Sequence, residues 1–169
     1  MSRAHIVLAV LWMLLAFAAQ EPNHEIHQEL KGILATLQTS INEGKYDAML
    51  PVVSQDIRAT TINQETISSH EEVSGYFKRW FGHGGYLKKL NTDLSADAFT
   101  ELSADKSWGL VRGSGLESYT LSDGCRYDMK IRWTATVVKE GDGRRRLRAT
   151  HIGTNFLDNP ILAEAEAAI

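Results

Sequence analysis

The sequence is poor in the residues and motifs that cross-link a fold or mark a common enzyme. Cys125 is the single cysteine among 169 residues, so no intrachain disulfide can form. The sequence also has no P-loop, no dinucleotide-binding glycine motif and no G-x-S-x-G segment. No Ser-His-Asp or Cys-His arrangement follows from the spacing. These absences argue against several catalytic classes. Without a disulfide, the stability of the fold must come from its hydrophobic core.

Positive charge is also scarce. The formal net charge is −3, which argues against a nucleic-acid-binding surface. The basic run Arg144–Arg146, followed by Arg148, is flanked by Glu140 and Asp142. It therefore fits a charged edge strand as well as a contact with phosphates or anionic lipid. We predict no nucleic-acid partner, no cofactor and no metal ion.

An apolar run, Ile6–Ala19, follows Arg3 and precedes acidic residues. A basic residue, an apolar segment and small residues near Ala18 form the pattern of a cleaved signal peptide. A helix over this run would span about 21 Å, less than the roughly 30 Å hydrocarbon core of a membrane. Residues 1–20 are therefore predicted to be either a signal peptide or an N-terminal membrane anchor.

Both interpretations export the rest of the chain, residues 21–169, because positive charge precedes the apolar run and negative charge follows it. We expect the domain to be periplasmic or extracytoplasmic. It is soluble if the chain is cut near Ala18, and it contacts the membrane through residues 4–19 if the segment is kept.

Three helices are predicted at the start of the domain. Asn23 can cap the first helix, which ends before Gly44. The segment YDAMLPVVS predicts a short second helix, and Ser69 to Glu72 form an S-x-x-E capping box that opens a third. The apolar stripe of the first helix has the helical period and comprises Ile26, Leu30, Ile33, Leu34, Leu37 and Ile41.

Strands follow the helices. Asp56–Ile62 predicts a first strand, and from Tyr86 onward the apolar period is two. The clearest strand is YDMKIRWTATVV, whose odd-numbered residues from Tyr127 to Val137 are apolar and whose even-numbered residues are polar. Turns rich in Gly, Asp and Ser separate the strands, as in β-hairpins. The pattern predicts an α+β fold with three helices packed on a curved, mainly antiparallel sheet.

This order of elements resembles the nuclear transport factor 2-like superfamily, and within it the SnoaL-like and ketosteroid-isomerase-like families. The segments that carry the resemblance are INEGKYDAML, DIRATTI, SHEEVSGYFKRWF and DGRRRLRATHIGTNFLDNP, and it covers about residues 24–162. It implies a cone-shaped cystatin-like roll with an apolar pocket, here preceded by an N-terminal hydrophobic helix. It also implies a homodimer formed through the outer sheet face.

The catalytic residues of the isomerases do not carry over. Alignment on Gly44 puts Leu37 at the position of their pocket tyrosine and Thr61 at the position of their base aspartate. The region Ile131–Trp133, where the resemblance implies a second acid, has no inward carboxylate. The isomerase mechanism needs a base that takes a proton and hydrogen-bond donors that stabilise the enolate, and these positions supply neither. We therefore expect a noncatalytic role.

His151 is the best single candidate for chemistry. Strict alternation in RLRATHIGT puts it on one face with Leu147 and Ala149, and this face is predicted to point into the cone. An imidazole in an apolar pocket can bind a ligand or act as a base. The alternative is a core histidine bonded to a tyrosine or a backbone oxygen.

Aromatic residues are predicted to line the same pocket, although their spacing also fits a plain core. His24 and His27 lie side by side in the first helix, but metal sites normally use three or four ligands, so we interpret them as an exposed helix start. The full predicted pocket lining is Leu37, Tyr76, Trp80, Trp108, Tyr127, Trp133 and His151.

The sequence thus predicts an exported SnoaL-like domain that binds a small apolar ligand, or that serves as an accessory or assembly subunit of an envelope or membrane complex. The alternative is a SnoaL-like isomerase, cyclase or hydratase that uses the apolar pocket with His151. An inward His151 beside an open cavity favours the enzyme. A cavity filled by Trp and Tyr side chains argues against it.

Overall fold

The computed structural model describes residues 23–82, 84–85, 87–98 and 100–154. The predicted N-terminal hydrophobic helix and its cleavage site lie outside these residues. The helical elements are α1 (His24–Asn42), the 3₁₀ segment η1 (Tyr46–Val52) and α2 (His70–Phe81). The strands are β1 (Val53–Thr60), β2 (Thr66–Ile67), β3 (Leu87–Ala96), β4 (Glu101–Leu102), β5 (Trp108–Leu121), β6 (Arg126–Lys139) and β7 (Arg145–Thr154).

The strands form one seven-stranded open sheet in the order β2-β1-β7-β6-β5-β3, with β4 paired to β5. All neighbours are antiparallel except β1 and β7, which are parallel. The predicted α+β class and mainly antiparallel sheet are confirmed. Within the described part of the chain, no helix has the length and apolar character needed to span a membrane.

Helix α1 packs its apolar stripe toward the sheet, as its spacing predicts. The predicted cap is different, because Asn23 adopts a left-handed backbone (φ 73°) and its side chain makes no capping hydrogen bond. The C-terminal end follows the prediction. Gly44 has φ 67°, a conformation that glycine adopts without a Cβ clash.

The C-terminal half of α1 is bound to the edge strand β3 through side-chain amides. Asn42 Nδ2 donates to Thr92 O at 2.9 Å, and Thr92 N donates to Asn42 Oδ1 at 2.6 Å. Leu94 N donates to Gln38 Oε1 at 2.7 Å. These bonds satisfy backbone groups that an edge strand would otherwise present to solvent or to another chain.

The N-terminal half of α1 is bound to the other side of the sheet, at β7. Glu29 accepts from the backbone N of Arg145 at 2.9 Å and from its guanidinium Nη1 at 2.8 Å. The Arg145 side chain is buried, and its Nη2 donates to Lys106 O at 2.6 Å. Because one end binds β7 and the other binds β3, α1 crosses the concave face of the sheet diagonally.

Helix α2 begins with the predicted cap. Ser69 Oγ accepts from Glu72 N at 3.1 Å, while the Glu72 carboxylate accepts from Ser68 N at 2.5 Å. The reciprocal bond therefore reaches one residue further back than in the usual capping box. The cap fixes the direction of α2 and with it the position of Tyr76.

Strands β5 and β6 pair along their whole length, and two glycines of β5 face large residues of β6. Gly113 lies opposite Trp133, and Gly115 lies opposite Ile131. A Cβ on Gly113 would overlap the Trp133 ring and Ser95 O. The Trp133 indole therefore lies over Gly113, and its Nε1 donates to Ser114 O at 3.1 Å.

Gly113→Ala is expected to lower the free energy of unfolding by about 1–3 kcal/mol, because the added methyl displaces the Trp133 ring. Urea unfolding followed by circular dichroism measures the change. Gly32→Ala is the matched control: Gly32 is exposed within α1 with nothing near its built Cβ, so the substitution should add roughly 0.5–1 kcal/mol. The same effect at both positions would contradict the close approach at Gly113.

Candidate functional site

A cavity of about 560 Å³ lies between the helices and the concave face of the sheet. Its volume is typical of a small-molecule site. Its wall is largely the hydrophobic core itself, with Ile33, Leu34, Leu37 and Ile41 of α1 facing Ile131 and Trp133 of β6. The domain interior is therefore open, and aromatic side chains form part of the wall instead of filling it.

Three of the predicted pocket residues line this cavity. They are Leu37, Tyr76 and Trp133. Tyr76 lies on the buried face of α2, where its ring is perpendicular to that of Phe77, with 5.3 Å between the ring centroids. The helical and strand periods correctly placed these three residues, since each lies on the apolar face of an element with regular alternation.

Three other predicted pocket residues lie elsewhere. Trp80 is at the end of α2, where its Nε1 donates to Glu65 Oε1 at 3.2 Å. Trp108 opens β5 on the outer face and is 47% exposed. Tyr127 has the parity of the inward residues of β6, but it belongs to the exposed end of the β5–β6 hairpin, where residues 122–128 are all exposed. The alternation of apolar and polar residues along β6 does not show how far the helices cover the inner face of this strand.

The prediction that His151 points into the cone is wrong. The ladder with β6 pairs Val137 with Leu147 but Thr136 with Ala149, so Arg148 is an extra residue in β7. This bulge reverses the alternation. Leu147, Thr150 and Ile152 line the cavity, whereas His151 is exposed beside Thr134 on the outer face.

The extra residue of the bulge, Arg148, contacts Asp56 of β1. Arg148 donates to Asp56 O and forms an ion pair with the Asp56 carboxylate at 2.8 Å. In a strand with strict alternation, Arg148 would be an ordinary outward residue. Its bulged position depends on contacts with β1 that local alternation does not reveal.

A carboxyl group that the sequence patterns did not single out lies in the cavity wall. Glu117 of β5 is only 6% exposed, and its Oε2 accepts a hydrogen bond from the Tyr119 hydroxyl. The two side chains share a face because they are two residues apart on one strand. The inward acid absent from Ile131–Trp133 is thus present on the neighbouring strand.

Burial governs the electrostatics of this pair. Loss of solvent raises the pKa of Glu117, and the hydrogen bond from Tyr119 offsets only part of the effect. The pKa of Tyr119 is also raised, first by burial and then by the nearby Glu117 charge. Both groups therefore favour their neutral, protonated forms more than they would in water.

Further hydroxyl groups line the same part of the cavity. Burial raises the pKa of Tyr76, whose phenol interacts with the Thr61 side chain and with the Glu117 charge. Thr92, the ladder counterpart of Glu117 on β3, is buried, and its Oγ1 has no hydrogen-bond partner in the described part of the chain. Thr61, Tyr76, Thr92 and Glu117 line the cavity, and Tyr119 is hydrogen-bonded to Glu117 behind the wall. We call these five residues the polar end of the cavity.

The alternation within β5 suggests that Glu117 faces outward, whereas the register of the β5–β6 hairpin shows that it faces inward. In β5 the even-numbered residues Trp108, Leu110 and Leu116 are apolar, which suggests that they face inward. The turn at 122–124 instead pairs Glu117 with Met129 and Gly113 with Trp133. Directly paired residues point to the same side of a sheet, so the inward odd face of β6 puts Glu117 inside.

The two positions taken from the isomerase resemblance both lie in the cavity wall. Leu37 and Thr61 face the interior, so their assignment to the pocket fits the structure. Neither side chain has a titratable group. Leu37 and Thr61 therefore put an apolar side chain and a hydroxyl group where the resemblance implies a tyrosine and an aspartate. The single carboxyl group of the polar end, that of Glu117, is on β5.

The opposite end of the cavity reaches the surface beside the first half of α1. His24, His27 and Lys31 line it on the helix side, and Asp97 and Thr100 line it on the strand side. We call these five residues the mouth. In the described ranges, no group of three or more His, Cys, Asp or Glu side chains is arranged to hold a metal ion.

No protein-family model and no curated protein matches the sequence. Solved structures do match. A provisionally assigned scytalone dehydratase from Novosphingobium aromaticivorans is 11% identical, with a TM-score of 0.65 over 79% of this chain and 87% of that chain. A protein with a cystatin-like fold from Caulobacter vibrioides is 14% identical, with a TM-score of 0.64 over 84% and 96% of the two chains.

ActVI-ORFA from Streptomyces coelicolor is 9% identical, with a TM-score of 0.62 over 77% of this chain and 98% of that chain. Identities this low define a shared fold and leave activity open. The fold that the resemblance implied is confirmed: the chain has a mixed α+β cystatin-like fold.

Proposed function

We propose that the domain binds one small, largely apolar molecule that carries a hydroxyl or carbonyl oxygen at one end. The observation that carries this proposal is the buried Glu117 carboxyl at the polar end of an otherwise apolar cavity. The apolar wall supplies affinity, and a small number of polar groups fix the orientation of the ligand.

Glu117 is suited to either kind of ligand oxygen when it is protonated. A neutral carboxyl group donates one hydrogen bond and accepts others. Tyr119 donates to Oε2, and Oε1 receives no hydrogen bond from the described residues. Oε1 is therefore left for the ligand, and a ligand or water oxygen at the same place would also serve Thr92 Oγ1.

Binding without turnover is the better-supported role. The polar end combines one carboxyl group with hydroxyl groups, and its described residues include no imidazole or second carboxylate. A reaction that needs a separate acid and base lacks one of them there. Export, dimerisation and service as an accessory subunit of an envelope or membrane complex belong to this proposal. They rest on residues 1–20 and on the resemblance.

A second candidate is a SnoaL-like isomerase, cyclase or hydratase in which Glu117, and not His151, exchanges the proton. The observation that favours it is a buried carboxyl with a raised pKa beside two phenols, an environment found around general acids. Glu117-dependent exchange of the α-protons of 2-tetralone in D₂O, followed by proton NMR, would favour this candidate.

The ligand-oxygen contact can be tested with 2-naphthol and 2-methylnaphthalene, which differ in shape very little. Replacing Glu117 by Leu and Tyr119 by Phe removes both buried polar groups together. The preference for 2-naphthol should then fall about fivefold, since one hydrogen bond contributes roughly 1 kcal/mol. Isothermal titration calorimetry gives both affinities for the full chain.

Glu71→Leu is the control for this comparison, because Glu71 is exposed on α2 and does not line the cavity. Its naphthol preference should match the wild type. If neither probe binds the wild type, or if the double variant keeps the wild-type preference, the proposed Glu117 contact is wrong.

The raised pKa of Glu117 predicts a pH dependence of stability. Between the ordinary glutamate pKa and the higher folded-state value, the folded chain binds more protons than the unfolded chain. Wild-type stability attributable to this group is therefore full at low pH and declines as the pH rises through that window. Relative to the wild type, Glu117→Gln should gain stability over the same window.

Urea unfolding at a series of pH values measures the difference between the two proteins. Glu71→Gln, on the exposed face of α2, is the matched control and should keep a constant difference from the wild type. A constant difference for Glu117→Gln as well would mean that the folded-state pKa of Glu117 is not raised.

A further inference from the structure

The cavity has two chemically different ends, and the second one is basic. His24, His27 and Lys31 lie three and four residues apart along α1, so they share one face of the helix. This face continues into the apolar wall through Leu34, and all four residues line the cavity. Lys31 makes no ion pair with any described residue.

Two acidic groups close to the mouth, Asp97 and Glu29, are paired with arginines. Both carboxylate oxygens of Asp97 bind Arg132, at 3.2 and 2.7 Å. Glu29, on the other side of α1, is held by Arg145. Because these carboxylates are already paired with arginines, the mouth presents an unpaired ammonium group and two imidazoles to whatever enters.

The distance between the two ends sets the length of a ligand that uses both. Glu117 pairs with Thr92 on β3, and the strand runs from there to Ala96, the neighbour of Asp97 in the mouth. Five residues of extended strand span about 16 Å. A linear apolar chain of about a dozen carbons has a comparable extended length. The wall along the way is mainly aliphatic.

We infer that the ligand is an amphipathic monocarboxylic acid, with its carboxylate at Lys31 and His27 in the mouth and a hydroxyl or carbonyl oxygen at Glu117. This inference rests on the proposed function, which supplies the far contact, and adds the charge and length of the ligand. The apolar body is buried along the aliphatic wall. The anionic head stays near solvent, where it does not need to be fully desolvated.

Three probes separate the two contacts: 12-hydroxydodecanoate, its methyl ester and dodecanoate. At low salt the hydroxy acid should bind the full-length wild type about two- to fivefold more tightly than the ester, the range expected for an exposed ion pair. The advantage should shrink in 1 M NaCl, because salt screens exposed charges. Calorimetric titration below the micellar range measures all three affinities.

Lys31→Met should remove most of the advantage of the acid over the ester, measured as the ratio of the two affinities within the same variant. Lys88→Met is the matched control, since Lys88 is exposed on β3 and does not line the cavity. It should behave as the wild type. His27→Gln should reduce the advantage in the same direction as Lys31→Met.

The remaining outcomes overturn the inference in distinguishable ways. If acid and ester bind equally, and the ω-hydroxyl still improves binding through Glu117, the basic mouth does not select a carboxylate and the proposed function stands. If neither hydroxylated probe binds the wild type, the inference and the proposed function both fail. If the ester binds more tightly than the acid, the mouth repels the carboxylate and the inference fails alone.

Discussion

The polar attachment of α1 at both of its ends is the constraint on which the cavity depends. Asn42 and Gln38 bind the backbone of β3, and Glu29 binds the buried Arg145 of β7. Between these points the side chains that α1 packs into the core are apolar, namely Leu30, Ile33, Leu34 and Leu37. If apolar burial alone positioned α1, the helix would settle closer and close the space, because interiors tend toward close packing. The hydrogen bonds hold it at a fixed height, so the core of the cone remains open.

The same attachment explains why the cavity has two unlike ends. Since α1 crosses the sheet diagonally, its C-terminal half covers Thr92 and the deep polar end, whereas its N-terminal half diverges from the end of β3. The divergence opens the mouth and places the side chains of the first two turns along it. Residues that look like an ordinary exposed helix start, such as His24 and His27, thereby become part of the cavity wall.

Much of the fold follows from local patterns in the sequence, and the site does not. The stripe of α1, the cap at Ser69 and the alternation of β6 each specify one element, and together they gave the correct class and sheet type. The errors arise where one residue changes a register. The extra Arg148 turns His151 outward, and the apolar even-numbered residues of β5 conceal that Glu117 points inward. Both facts depend on pairing between strands, which the period of a single strand does not contain. Correct placement of Leu37, Tyr76 and Trp133 required only that period.

The location of the buried acid bears directly on what the cavity can do. An acid–base reaction needs groups whose pKa values differ and which meet at the reacting atoms. Here Leu37 and Thr61 cannot titrate near neutral pH, and His151 lies on the other side of the sheet. The buried Glu117 carboxyl accepts a hydrogen bond from a phenol and is shielded from water. No nearby described base accepts its proton, which favours a fixed hydrogen bond over repeated proton transfer. The geometry therefore supports the proposed role of Glu117, which is to hold a ligand oxygen in one orientation.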